Sequence, residues 1–327
     1  MSTQNKKTAT KPKILTILGP NASGKSELGV QLATIYRGEI ISADSRQVYR
    51  ELNLTAGKVP GKWERRGRRR YFVYNGVSHH LVDLVSPKKQ FNVQKYKKKA
   101  EKALSSIKSR GKLPIIVGGT GLYLDSIVYD LNLPKVPPNK KLRKDLESMT
   151  TDQLVTRLKA LDSRRLASID IQNRRRLIRA IEIVVATGSK VPLLNTQRLP
   201  KYDALLIGIR YPDSALKERI KNRLRERLDA GMIDEVKRLH KRGLGWQRLE
   251  DLGLEFRIIS SHLKGNITLE EAEKQIEKES WRFAKRQMTW FKRDPNIIWI
   301  DTPEKAFPIV QDFLAREGEP LLAQSET

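Results

Sequence analysis

The run Gly19-Pro20-Asn21-Ala22-Ser23-Gly24-Lys25-Ser26 limits the fold more than any other part of this chain. It matches the phosphate-loop pattern GxxxxGK[ST] in full, follows an apolar stretch from Lys13 to Leu18, and leads into Glu27–Tyr36, where Leu28, Leu32, Ala33 and Ile35 are apolar. Such a loop works only between a strand and a helix. Its backbone amides and the helix terminus cradle an anion, and Lys25 adds a point charge. Gly19, Asn21, Ala22, Ser23, Gly24, Lys25 and Ser26 are therefore the expected phosphate-binding residues, with the Ser26 hydroxyl also placed to hold Mg²⁺. The loop by itself does not say whether the phosphate belongs to ATP.

Further strands are expected at Gly38–Asp44, Leu113–Val117, Ala204–Ile209 and Ile297–Ile300. The first ends in a carboxylate, Asp44, at the strand end where open α/β sheets place ligands. The second runs into Gly118-Gly119-Thr120-Gly121 and is preceded by a basic helix from about Val93 to Arg110. Strands alternating with helices predict an α/β fold, a P-loop parallel sheet flanked by helices. The stretch bracketed by Pro134-Lys135-Val136-Pro137-Pro138 and Leu199-Pro200-Lys201 differs in character. Leu154, Val155, Leu158 and Leu161 recur at helical spacing, as do Leu177, Ile178, Ile181, Val184 and Val185 before Gly188. Residues 134–199 are thus expected to be a small all-helical domain inserted in a core of residues 13–133 and 200–315. Helices are expected from about Ser214 to His240 and from Thr268 to Phe291, a basic disordered tail over 1–12, and a flexible tail over 316–327.

Charge narrows the partner. Against 37 acidic residues stand 64 Lys and Arg, a net +27, which points to a polyanion. The absence of cysteine excludes thiol catalysis, iron–sulfur clusters and cysteine-ligated zinc, and four histidines are poor material for a metal site. No apolar run approaches the roughly 18 residues of a membrane span, and MSTQNKKTATKPK lacks the apolar stretch of a secretory signal, so the expectation is a cytoplasmic monomer without a membrane partner.

Asp44-Ser45-Arg46-Gln47-Val48-Tyr49, His79-His80-Leu81-Val82-Asp83, Gly118-Gly119-Thr120-Gly121-Leu122-Tyr123, Arg175-Arg176-Leu177-Ile178-Arg179-Ala180 and Ala284-Lys285-Arg286-Gln287-Met288-Thr289-Trp290 follow the phosphate loop in order. Together these motifs resemble the tRNA dimethylallyltransferases over nearly the whole chain. The resemblance implies transfer of a dimethylallyl group from dimethylallyl diphosphate to the exocyclic amine of the adenosine 3′ to the anticodon. It implies Asp44 as general base, Thr120 near the reacting adenine, Arg219 clamping the diphosphate, and Ser45, Arg46 and Gln47 beside the target base. It further implies that Arg143, Arg175, Arg176 and Arg179 grip the anticodon stem-loop, and that Phe256, Arg257 and Arg286 touch tRNA.

The residues read alone agree in part. A phosphate loop, Lys25 and Mg²⁺ can stabilise a departing pyrophosphate, and a carboxylate at a strand tip can accept the proton of a weakly nucleophilic amine. No DDxxD cluster offers a second diphosphate site. Arg219, Arg223 and Arg227 share a helix face by i, i+4 spacing, which on its own is as readily a solvated or RNA-facing stripe. Leu122, Tyr123 and Trp290 read as core. Three departures from the family stand out. Lys62–Tyr74 inserts a basic stretch read as an added RNA-facing loop; Phe256 stands where Tyr is usual; and Ser280-Trp281 replaces a Thr-Arg pair, with Arg282 one place later. The rival readings are a P-loop kinase, an isopentenyltransferase acting on free adenine nucleotides, and a non-catalytic P-loop RNA-binding factor.

Overall fold

A computed structural model describes residues 11–192 and 198–316. The expected tails therefore lie outside the described residues, apart from Lys11, Pro12 and Arg316. Two compact units emerge, one built from residues up to Asp130 and from Leu199 onward, the other from Leu131–Arg198.

In the larger unit the described strands form one sheet. Their ranges are β1 Lys13–Leu18, β2 Gly38–Ser42, β3 Lys62–Arg66, β4 Arg69–Tyr74, β5 Val77–His80, β6 Leu113–Gly118, β7 Asp203–Ile209 and β8 Ile297–Ile300. The order is β3-β4-β5-β2-β6-β1-β7-β8, so β1 is central, with β6 and β7 pairing parallel on either side. From Ile14 onward β1 is buried at every residue, as a parallel strand covered on both faces must be. Helix α1 (Lys25–Ile35) lays Leu28 and Leu32 on Leu15, Ile17, Ile115 and Ile207, and α12 (Ala306–Ala315) adds Val310 and Phe313. The other helices of this unit are α2 (Val93–Lys108), α3 (Gly121–Val128), α7 (Asp213–Asp229), α8 (Met232–Lys241), α9 (Trp246–Leu252), α10 (Leu254–Leu263) and α11 (Leu269–Phe291). A second core gathers Val48 and Leu52 with Met232, Val236, Leu249, Phe256 and Ile276 from α8 to α11.

Two expectations are corrected. Lys62–Tyr74 is not a loop but the antiparallel hairpin β3–β4, which continues antiparallel onto β5 and makes the sheet mixed. Its two-residue turn places Gly67 at φ 61°, a left-handed position that glycine fills without strain. All of β3 is exposed, and its Lys, Glu and Arg side chains guard an edge that would otherwise pair with another chain. The single helix expected from Ser214 to His240 is two, α7 and α8, because Gly231 adopts φ 92° between them.

The smaller unit holds α4 (Lys140–Glu147), α5 (Thr151–Ala167) and α6 (Arg174–Thr187). Leu146, Leu154, Leu158, Leu177, Ile181 and Val184 form its core, and Gly188 ends α6 at φ 63°. Within that core lies a fully buried carboxylate, Glu182, ion-paired to Arg143 and Arg179. Burial opposes its charge, but hydrogen bonds from Arg143, the Asn139 amide and Arg179 prevail and hold its pKa at about 2. In the sheet, Glu39 is held at about 2 in the same way, by His80, Lys112 and Arg110. Both folded pKa values lie below the unfolded one, so the stability these carboxylates contribute is complete above about pH 4.5 and drains away as pH falls toward 2. Urea midpoints measured from pH 6 to 2.5 are expected to drop through that window, and Glu182→Gln to flatten the dependence for the helical unit.

Candidate active site

The phosphate loop leaves the carboxyl end of β1 and enters α1. Gly24 caps the helix at φ 82°, and Ala22 sits at φ 60°. A Cβ on Gly19 would stand 2.8 Å from Ser23 Oγ and 3.0 Å from the Ile209 carbonyl, so only glycine allows this approach. Lys25 Nζ donates to the Pro20 carbonyl at 2.9 Å and thus arches over the loop. Burial, with the Arg223 charge as a second cause and Asp44 opposing, lowers its pKa to about 8. Among the described residues, the buried Ser23 Oγ and Asn21 Oδ1 have no hydrogen-bond partner. Arg219, on α7, donates from Nε to the Ala22 carbonyl at 2.9 Å, and its guanidinium lies 4.8 Å from the Tyr211 ring centroid. Arg219, expected to clamp the diphosphate, thus lies against the phosphate loop.

Asp44 lies just beyond β2, and β6 separates β2 from β1 in the sheet. Its Oδ1 accepts from the Arg46 amide at 2.7 Å and the Gln47 amide at 3.3 Å, which fixes the carboxylate on its turn. Thr120 ties this turn to the end of β6. Its Oγ1 accepts from the Ser45 amide at 3.1 Å, and its own amide donates to the Ala43 carbonyl at 3.1 Å. A Cβ on Gly118 would come within 2.2 Å of the Ala43 carbonyl oxygen, so this backbone approach also requires glycine. Gln47 accepts from Ser42 Oγ at 2.8 Å and donates to the Gly57 carbonyl at 3.4 Å, which Arg223 also contacts at 3.1 Å. Asp44 and Arg223 both act on the Lys25 charge, which brings Asp44 and the phosphate loop into one electrostatic site.

Sequence reasoning missed the side chain that joins the two halves. Gln287, buried on α11, accepts from the Asn21 amide at 2.8 Å and donates from Nε2 to the Gly119 carbonyl at 2.8 Å. It is thus a brace between the phosphate loop and the Thr120 turn. Gln287→Ala leaves two buried backbone groups unpaired and frees both loops; because a misplacement near 1 Å can cost about a hundredfold, kcat is expected to fall by roughly 10- to 100-fold. Steady-state kinetics with polyanion affinity measured in parallel checks this, since a brace moves kcat and leaves that affinity nearly constant.

The remaining expected residues divide. Arg223 and Arg227 turn inward: Arg227 donates to the Leu54 and Thr55 carbonyls at 2.6 Å and meets Glu255, so the stripe is not a solvated one. Phe256 is 1% exposed and packs in the core of α10, which corrects its reading as a tRNA contact; an aromatic ring there is removed from any partner. Arg143 donates to both Glu182 oxygens at 2.9 and 2.8 Å, and Arg179 to Glu182 and the Val136 carbonyl, so both serve first to neutralise a buried carboxylate. Arg175 and Arg176 are exposed in the first turn of α6. Arg257 and Arg286 are exposed too, Arg286 lying 5.8 Å from the Phe283 ring. Arg46 stays half-buried near Gly253. Tyr123 stacks on Tyr96 at 4.0 Å and Trp290 donates to Asp125 at 3.0 Å, in keeping with core roles.

No group of three or more His, Cys, Asp or Glu among the described residues forms a metal cage. The half-buried Ser26 hydroxyl, at the start of α1, is nevertheless a hard oxygen donor suited to Mg²⁺, an ion that keeps several waters and takes its other ligands from phosphate.

A phosphate loop on a central parallel strand, with a turn-anchored carboxylate two strands away, defines a P-loop α/β protein. The IPP transferase model matches residues 47–294, and the chain belongs to that family. It is 40% identical over 311 residues to tRNA dimethylallyltransferase 1 of Geotalea uraniireducens (strain Rf4), with 94% of this chain and 98% of the relative covered. It is 41% identical over 292 residues to tRNA dimethylallyltransferase 2 of Syntrophotalea carbinolica (strain DSM 2380 / NBRC 103641 / GraBd1), covering 88% and 94%. The crystal structure of a full-length tRNA isopentenylpyrophosphate transferase from Bacillus halodurans superposes with a TM-score of 0.66 at 33% identity, over 93% of this chain and 96% of that one. No helix among the described residues is long and apolar enough to cross a membrane.

Proposed function

We propose that the chain transfers a dimethylallyl group from dimethylallyl diphosphate to the exocyclic amine of the adenosine 3′-adjacent to the anticodon in tRNA, releasing diphosphate. The observation that carries this reading is the pairing of a phosphate loop with Asp44 in one electrostatic site, braced by Gln287 and Thr120. The new C–N bond forms as the allylic C–O bond breaks. The amine proton passes to Asp44, and the charge gathering on the leaving diphosphate meets the loop amides, Lys25 and Arg219. Ser26 would hold Mg²⁺, which supplies further neutralisation of the diphosphate oxygens when bound. The adenine must be flipped out for its amine to reach Asp44, with Thr120, Ser45, Arg46 and Gln47 around it. Arg175 and Arg176 on α6, with Arg257 and Arg286, offer exposed cations to the tRNA backbone.

The runner-up is a P-loop enzyme acting on free adenine nucleotides. Against it stands the net +27, which a small acceptor does not need. Incubation with dimethylallyl diphosphate and either tRNA or AMP distinguishes them: prenyl incorporation into tRNA is expected. Incorporation into AMP alone would transfer the reading to the runner-up.

A further inference from the structure

The hairpin β3–β4 carries features that the reaction does not use. Pairing places Trp63 opposite Phe72, Arg65 opposite Arg70, and Phe72 opposite His79 on β5, so these side chains share one face of the sheet edge. Trp63 is 43% exposed, unusual for the largest apolar side chain on a strand that is otherwise charged. It is nevertheless held in place. Its Nε1 donates to Asp83 Oδ2 at 3.4 Å, its ring meets Phe72 edge-on at 5.9 Å, and the Arg70 guanidinium lies 5.5 Å from its centroid. Phe72 in turn meets His79 edge-on at 6.2 Å, so the platform rests on the buried sheet. Beside it opens a cavity of about 360 Å³ lined by Trp63, Arg70, Tyr71, Phe72, His79 and His80 among others. Of the hairpin's arginines, all exposed, Arg65 shares the Trp63 face, Arg69 lines the cavity together with Arg70, and Arg66 and Arg68 add charge to the same hairpin, on which Glu64 is the one acidic side chain.

We infer that this hairpin is a second RNA-binding site, in which an unpaired nucleotide of the tRNA stacks on Trp63 while the neighbouring arginines hold its flanking phosphates. The inference rests on the tRNA reading above and adds a contact outside the reacting site. Aromatic faces bind bases only when these are unpaired, whereas arginines serve any phosphate backbone. An acidic peptide would satisfy the arginines but leave the ring and the cavity without purpose.

The two contributions separate by salt. Trp63→Ala is expected to raise the Kd for tRNA by about five- to a hundredfold, the range of losing one base stack, while the slope of log K against log salt stays constant. Trp63→Phe keeps an aromatic face and is expected to stay within about threefold of wild type. Replacing Arg65, Arg66, Arg68 and Arg69 by Ser should instead flatten the slope by roughly 0.7–0.9 for each phosphate that is no longer neutralised. On a fully paired RNA helix, Trp63→Ala and wild type should bind alike. Equal tRNA affinity of Trp63→Ala and wild type overturns the inference, as does an equal loss on the paired helix. A Trp63-dependent affinity for AMP with unchanged affinity for tRNA also overturns it, marking a free-nucleotide site instead. Wild-type protein that fails to prenylate tRNA in the same preparation tells against the proposed reaction, a result separable from all of these.

Discussion

Asp44→Asn is expected to lower kcat by about 10²–10⁴, the usual worth of general-base catalysis, with the Kd for tRNA nearly unchanged. The split follows from geometry. The Asn side chain keeps an oxygen that can accept from the Arg46 and Gln47 amides, so the turn and its tie to Thr120 persist. What disappears is a basic oxygen for the amine proton. Single-turnover kinetics at saturating tRNA measures that loss directly. Turnover close to wild type would show that Asp44 serves only as the acceptor of its own turn.

Lys25→Ala is expected to reduce kcat/KM for dimethylallyl diphosphate by roughly 10- to 100-fold, the scale of one charge-assisted hydrogen bond of about 1.5–3 kcal/mol, without any requirement for a nucleoside triphosphate. The lowered pKa of Lys25 adds a pH signature. Below pH 8 the ammonium is charged and attracts diphosphate; as pH rises through about 8 it loses its proton, so KM for the diphosphate should climb between pH 7 and 9. The Ala variant should lack that climb. Strict dependence of turnover on ATP would instead favour the kinase reading.

The parts legible in the sequence are those whose physics is local. β1, β6 and β7 are short apolar runs because buried parallel strands have no polar face, β8 is an apolar run although it lies at the sheet edge with Ile298 exposed, and the phosphate loop declares itself by spacing. The hairpin escaped because β3 is exposed at all its residues and reads as a charge run. Its signals were nevertheless present, in Gly67 and in the Asn75-Gly76 turn between β4 and β5, both residues of which have positive φ. The inward use of Arg143 and Arg179 was also signalled, by a lone carboxylate in the apolar run Ile181-Glu182-Ile183-Val184 that needs a cation partner. Gln287 stood in the motif Ala284–Trp290, but nothing there assigned it a role. Its partner Asn21 lies 266 positions away, and no local pattern encodes a distance that only the folded chain creates.

Where the chain departs for the helical unit and where it returns, the Lys201 amide donates to the Val128 carbonyl at 2.7 Å and Lys201 Nζ meets Asp130 at 3.2 Å. The two ends are therefore stitched together within the larger unit. An excursion whose mouth is already closed adds little entropic penalty as it lengthens, about 0.6 kcal/mol for each doubling. A change of length among the helices α4 to α6 is therefore expected to leave the strand register of the sheet, and with it the spacing of Lys25 and Asp44, as it is.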